Sequence, residues 1–175
     1  MLLSGGFNMF QIGDYIICGS NGVCEVCGIG SDGVPGAVAG RTYYTLSSVY
    51  SKGKTIFTPV DNEKVVMRPI LTRAEAEKLV SEIKDIEMLW ISDEKRREES
   101  LKAALRTCDC RELVKIIKTL YLRRQERLAA GKKSITNDEK YLKLAENSLY
   151  EELAIPLELH KEDVESYIRA AVAGA

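Results

Sequence analysis

The spacing of apolar positions changes once along the chain, at Pro69. Before it, short β-branched and aromatic runs are separated by turn residues. Tyr15–Cys18 and Gly22–Ile29 flank the turn Gly19-Ser-Asn-Gly22, and Arg41–Tyr50 joins Thr55–Val60 through Lys52-Gly53-Lys54. Asp61-Asn62 then turns the chain into Val65–Arg68. Strand-forming residues bounded by Gly, Asn and Asp predict five short strands, and so many tight turns in so little chain predict a small β-barrel of SH3 or Tudor type. Pro59 fits a strand edge or end, because it has no N–H to give to a ladder. The glycine-rich stretch Gly30–Gly40 lacks the Gly-Lys-Ser/Thr of a phosphate loop and reads as turns.

After Pro69 the period becomes helical. Thr72-Arg-Ala-Glu75 has the capping-box spacing, and Ala76, Leu79, Val80 and Ile83 follow on one face. A second helix is expected from Ser92 as N-cap to about Leu105. Asp109-Cys-Arg-Glu112 opens the longest helix, with Leu113, Ile116, Ile117, Leu120 and Leu128 inward and an end near Gly131. Thr136-Asn-Asp-Glu139 is a third box, leading into Tyr141, Leu142, Ala145, Leu149 and Leu153 before Pro156, and a last helix runs from about Lys161 to Val172. The expected fold is α+β in two domains, 9–70 and 71–175, the second all-helical with about five helices.

The ends and composition add little chemistry. The stretch before Met9 lacks the basic leader and apolar core of a signal peptide. Gly5-Gly6 can be encoded as a purine-rich ribosome-binding sequence, so residues 1–8 are expected to be translated leader or disordered, with the natural start at Met9. Five cysteines without a secretory signal predict reduced thiols in a cytoplasm. Cys24-Glu-Val-Cys27 has metal or redox spacing but falls inside an expected strand, while Cys108 and Cys110 belong to the other domain; the thiols read as small apolar fillers and no metal is expected. A lone histidine, His160, assembles no catalytic constellation. Neither enzymatic activity nor a cofactor is expected, and no apolar run is long enough to span a bilayer.

Charge changes the picture more. The net charge is −1, yet residues 95–143 hold fifteen bases and seven acids, net +8, between a 71–94 segment at −4 and a 144–175 segment at −5. A basic block between acidic flanks suits a localised anionic partner. It contains Lys95, Arg96, Arg97, Arg123, Arg124, Arg127, Lys132 and Lys133. Cations near a helix C-terminus also answer the macrodipole, which accounts for two or three of them. Just ahead of the block stands Trp90, the only tryptophan, which read alone is either a core residue or a stacking platform on nucleic acid.

Phe10-Gln-Ile-Gly-Asp-Tyr-Ile-Ile with Gly22-Val-Cys-Glu-Val resembles the opening of the CarD/CdnL family of bacterial transcription regulators. Tyr43-Tyr-Thr-Leu followed by Thr55-Ile-Phe-Thr-Pro-Val resembles the family's next two strands. Trp90 before a basic helix, Gly131-Lys-Lys before Thr-Asn-Asp-Glu, and Ala145–Leu153 resemble its helical part. The resemblance runs from Met9 to about Val172. It implies an N-terminal domain like that of the transcription-repair coupling factor, docking on the RNA polymerase β subunit largely by strand addition through Arg41, Tyr43, Tyr44, Thr45, Ile56, Phe57 and Thr58. It also implies a helical domain on promoter DNA, without sequence specificity, where Trp90 wedges at the upstream edge of the bubble and stabilises the open complex, with Lys95, Arg96 and Arg97 as nearby phosphate contacts. Arg123, Arg124, Arg127, Lys132 and Lys133 are expected on phosphates from the charge of the block. Two departures are visible: Ile91-Ser-Asp-Glu94 separates the tryptophan from the bases, and Phe57 stands where some members place an arginine. The expectation is a monomeric, cytoplasmic protein held at the nucleoid through polymerase. The rival is a protein–protein adaptor with a Tudor-like peptide-binding module and no direct DNA role.

Overall fold

The computed structural model describes residues 10–174, so the expected leader and start at Met9 lie outside the described residues. The chain divides into two compact units, one ending at Ile70 and the next beginning at Leu71.

The first unit is one antiparallel sheet of β1 (Tyr15–Cys18), β2 (Val23–Gly30), β3 (Tyr43–Ser48), β4 (Thr55–Pro59) and β5 (Met67–Pro69), in the order β4-β3-β2-β1-β5. Ile16, Cys18, Cys24, Val26, Tyr44 and Leu46 form its core, as the period of two requires. The sheet is open: β4 and β5 are its edges, and β5 is only three residues long, so the expected barrel does not close. The Gly19–Asn21 turn is a 3-10 turn that needs glycine, since Gly19 has φ +50° and a Cβ there would meet Val65 Cγ1 at 2.7 Å.

The second unit holds α1 (Arg73–Glu82), α2 (Arg97–Arg106), α3 (Cys110–Ala129), α4 (Thr136–Ala154) and α5 (Lys161–Ala173). The expected inward faces meet in one core, with Ala76, Leu79, Val80, Leu113, Ile116, Leu120, Tyr141, Leu142, Ala145, Leu149 and Leu153 all buried. Leu128 is the exception at 53% exposed, because α3 continues past the core.

Of the three capping boxes, only Thr72–Glu75 is reciprocal. Asp109 caps the amides of Arg111 and Glu112, while the Glu112 carboxylate pairs with Lys115 at 3.0 Å. Thr136 is the first helical residue rather than the cap, and Ile135 precedes it with no side-chain cap. The acids of that expected box serve tertiary pairs instead: Glu139 with Arg124 at 3.4 Å, and Asp138 with Arg97 and Arg123. Ser92 does not cap either; Asp93 does, accepting from Lys95 N–H ahead of a 3-10 turn over Glu94–Arg96 that leads into α2.

Glu152 of α4 is 1% exposed. One carboxylate oxygen accepts the Leu71 N–H at 3.0 Å and the other accepts from Cys110 Sγ at 3.1 Å, so it ties the entrance of the unit to the start of α3. Removing it orphans a buried amide and leaves a void. Glu152→Ala should therefore destabilise the helical unit by about 2–4 kcal/mol, read by urea unfolding.

Glu98 gives a pH dependence. A hydrogen bond from Lys102 and one from Tyr141 Oη, the latter 2.9 Å, hold its carboxyl down at about 2. A lowered carboxyl favours the fold at pH values above its unfolded range near 4.5, and that contribution fades as pH falls toward 2. Thermal melts should show stability falling across that window, with a shallower fall in Glu98→Gln.

Candidate functional site

Two surfaces stand out, one on each unit. On the first, β4 is a free edge. Val60 N–H donates to Thr42 O and Ser48 N–H to Lys54 O, which sets the even-numbered residues 54–60 toward β3. By strand alternation the N–H and C=O of Thr55 and Phe57 face outward, while the Pro59 C=O is taken by the Asn62 N–H at 3.1 Å. Pro59 thus lacks its N–H where no ladder bond would use it. Phe57, 40% exposed, sits opposite Thr45 in register on the outward face.

The residues expected at this edge divide by side. Tyr44 is buried against Phe10, with ring centroids 5.7 Å apart, and its hydroxyl accepts the Phe10 N–H at 3.1 Å. Tyr43 is buried too, its hydroxyl accepting the Val38 N–H at 3.1 Å, which folds the glycine-rich loop over it. Thr58 is buried with Oγ1 accepting from Asn62, and Ile56 packs partly into the core. Arg41 forms an exposed pair with Asp61 at 3.1 Å. Only Thr45 and Phe57 present side chains outward from the strands, so Tyr43, Tyr44, Ile56 and Thr58 shape the edge from inside. Sequence reasoning missed the Thr55 backbone, legible only once strand order and register are known.

The cysteine spacing comes apart on the same sheet. The β2–β3 register slips between Val26 and Gly28, making Cys27 the bulged residue. Cys24 points into the core, where burial, and then neighbouring Cys18, pushes its thiol up to about 11; Cys27 is exposed. Among the described residues no three metal-ligating side chains gather.

On the second unit, the chain between α1 and α2 runs beside α3. Lys118 Nζ donates to the carbonyls of Ile83 at 2.9 Å and Lys84 at 3.1 Å, and to that of Ile86, satisfying the carbonyls that the end of α1 leaves over. Glu87 pairs with Lys115 at 3.3 Å. Leu89 packs inward and its N–H donates to Thr119 Oγ1 at 2.9 Å. Trp90 follows with 81% of its surface exposed, ahead of Ile12 at 66%, the next large apolar residue described, and Met88 is exposed on the other side of Leu89.

The expected bases fall into two groups. Arg97 and Arg123 are held in a cluster with Glu94 and Asp138. Glu94 pairs with Arg97 and, at 2.8 Å, with Arg123, while Asp138 lies 2.9 Å from Arg97 and 3.0 Å from Arg123. Arg123 Nε lies at 3.0 Å from Asp138 Oδ2 and Arg97 Nη2 at 2.9 Å from Asp138 Oδ1, both without hydrogen-bond alignment, so part of this pairing is Coulombic alone. Burial opposes ionisation of Glu94, yet the Arg123 hydrogen bond and the two guanidinium charges hold its carboxyl below the usual value. Arg124 pairs with Glu139 and lies over the Tyr121 ring at 5.2 Å, and Arg127 Nε donates to Lys133 O at 2.9 Å.

Lys95, Arg96, Lys132 and Lys133 are exposed and make no ion pair among the described residues. Lys95 and Arg96 share the Trp90 segment, and the two lysines follow the end of α3, about 15 Å along the helix from Thr119. Thr119, Lys118 and the Glu94–Asp138 acids went unread in the sequence, where they look like ordinary helix-surface residues.

No curated protein matches the chain. Residues 10–71, the span of the sheet unit, match the CarD-like/TRCF RID domain. The sheet unit is thus similar to the CarD-like domain and to the RNA polymerase-interacting domain of the transcription-repair coupling factor.

Proposed function

We propose that this protein is a non-enzymatic transcription regulator of the cytoplasm that docks its sheet unit on the RNA polymerase β subunit and sets its helical unit on promoter DNA, stabilising the open complex. The observation that carries the DNA half is Trp90. An indole kept in solvent five and six residues ahead of Lys95 and Arg96, which make no ion pair among the described residues, has what a minor-groove wedge needs: a flat apolar face to insert and charges near it in the chain to meet the flanking phosphates. Lys132 and Lys133 extend the cationic track. Arg97, Arg123 and Arg124 serve the fold first, because their charges are already matched by carboxylates. The polymerase half is supported by the family of the sheet unit and by the open β4 edge, whose outward N–H and C=O groups suit an added strand.

A protein–protein adaptor is the alternative, favoured by one feature. Leu122 and Leu128 of α3 are exposed, so the helical unit offers apolar surface as well as charge. Salt separates the readings. A grip built on phosphate neutralisation weakens steeply as salt rises, whereas an apolar protein contact does not.

Trp90→Ala should shorten open-complex lifetime severalfold in a promoter dissociation assay and leave polymerase affinity unchanged; an unaltered lifetime refutes the wedge. Thr55→Pro removes an outward N–H while sparing the bonds to β3. It should weaken binding to a β-subunit fragment by about fivefold to tenfold, the worth of one backbone hydrogen bond, with no loss of melting temperature. Unchanged affinity by calorimetry would rule out strand addition at β4.

A further inference from the structure

Trp90 sits in a stretch with no helix or strand of its own, yet the chain is fixed on both sides of it. Upstream, the Leu89 N–H donates to Thr119 Oγ1 at 2.9 Å. The Thr119 hydroxyl proton is committed to Lys115 O at 2.7 Å, which leaves the oxygen facing Leu89 as an acceptor. Downstream, Glu94 bonds Arg123 at 2.8 Å, and the buried Asp138 holds Arg123 from below at 3.0 Å. The two anchors on α3 are one turn apart, about 6 Å along its axis. The chain between them, from Leu89 up to Glu94, lies in no helix or strand and is held at its two ends through these side chains. Between the anchors Leu89 packs inward, Ile91 is half-buried, and Trp90 is turned to solvent.

We propose that Thr119 and Arg123 are positioning residues of the DNA contact: they pin both ends of the strap that presents the Trp90 ring, just ahead of Lys95 and Arg96 in the chain. The inference rests on the reading of Trp90 as a DNA wedge and assigns to α3 the task of fixing where that wedge stands. A wedge on a loose strap would lose orientational freedom each time it inserted, and a pinned strap has surrendered it already. Thr119 touches no DNA in this scheme, and Arg123 works through Glu94 rather than through a phosphate.

The test uses the full-length protein with polymerase and a promoter. Thr119→Val keeps the shape and removes the acceptor, and Thr119→Ser restores it. In Thr119→Val the Leu89 amide should exchange with solvent at least about fivefold faster, the worth of a lost hydrogen bond. The fluorescence anisotropy of Trp90, the only tryptophan, should gain fast motion. Open-complex lifetime should shorten toward that of Trp90→Ala, with the salt slope unchanged, and Thr119→Ser should restore it. Adding Thr119→Val to Trp90→Ala should shorten it no further. Faster Leu89 exchange with a normal lifetime, while Trp90→Ala shortens it, overturns the positioning role and leaves the wedge standing. A normal lifetime in Trp90→Ala removes the wedge and the positioning role together. Arg123→Gln is the independent variant should Thr119→Val fold poorly. A shorter lifetime at constant salt slope supports the anchor, and a slope lower by about one marks Arg123 as a phosphate contact and overturns it.

Discussion

The helical unit depends on how α3 satisfies a neighbour that cannot satisfy itself. The chain between α1 and α2 has no ladder or helix to take its polar backbone groups, and part of it lies against the core through Ile86 and Leu89. Buried groups of that kind must find partners or cost a few kcal/mol each. Lys118 accounts for the carbonyls of Ile83, Lys84 and Ile86, and Thr119 for the amide of Leu89. Two adjacent residues therefore settle a connection that would otherwise move. Both belong to the same helix whose other face, through Leu113, Ile116 and Leu120, fills the core. The strap inherits its order from the core through α3.

Charge in this unit is divided along similar lines. The +8 of residues 95–143 suggested one uniform cationic surface, but geometry sorts it. Arg97, Arg123 and Arg124 lie against Asp138, Glu94 and Glu139, and Lys115 bridges Glu87 and Glu112. Such pairs, partly shielded from water, orient elements more than they add stability. A net count weighs a lysine in solvent and an arginine on a buried aspartate alike, and only the former can answer a phosphate. Following the tryptophan, Lys95 and Arg96 are exposed and make no ion pair among the described residues, and they lie in the 3-10 turn that continues the strap.

What could be read from the sequence follows the range of the interactions. The strands and five helices were legible because period and turn residues are local, and so was the reciprocal cap at Thr72–Glu75. The Asp109 cap was legible too, though Glu112 turns to Lys115 one turn on instead of back to the cap. The box at Thr136 misled because its acids had distant partners: Asp138 and Glu139 pair across to α2 and α3, and Ile135 takes the cap position by default. The barrel was not reached, because closure requires the two edge strands to meet, and no local pattern reports that. Tyr43 and Tyr44 illustrate a similar limit. A β-rich aromatic pair marks the strand, while the hydroxyl contacts to Val38 and Phe10 that turn both inward come from outside it. Thr119 left almost no trace, since a threonine in a helix commonly bonds back to its own carbonyls, as this one also does to Lys115.

Trp90 is the place where local and global evidence part most widely. Burying an indole removes about 200 Å² from water, worth about 5 kcal/mol at 25 cal/mol per Å². The unit forgoes nearly all of that for a ring 81% exposed, although Leu89 beside it is packed against the core. Extended chain turns successive side chains to opposite faces, so a register that buries Leu89 must expel Met88 and Trp90. The hydrogen bond from Leu89 to Thr119 fixes that register. The exposure of the tryptophan is therefore not left to an unconstrained loop: it is the other face of a contact the core requires, and a partner that buries the ring recovers free energy the fold left unused.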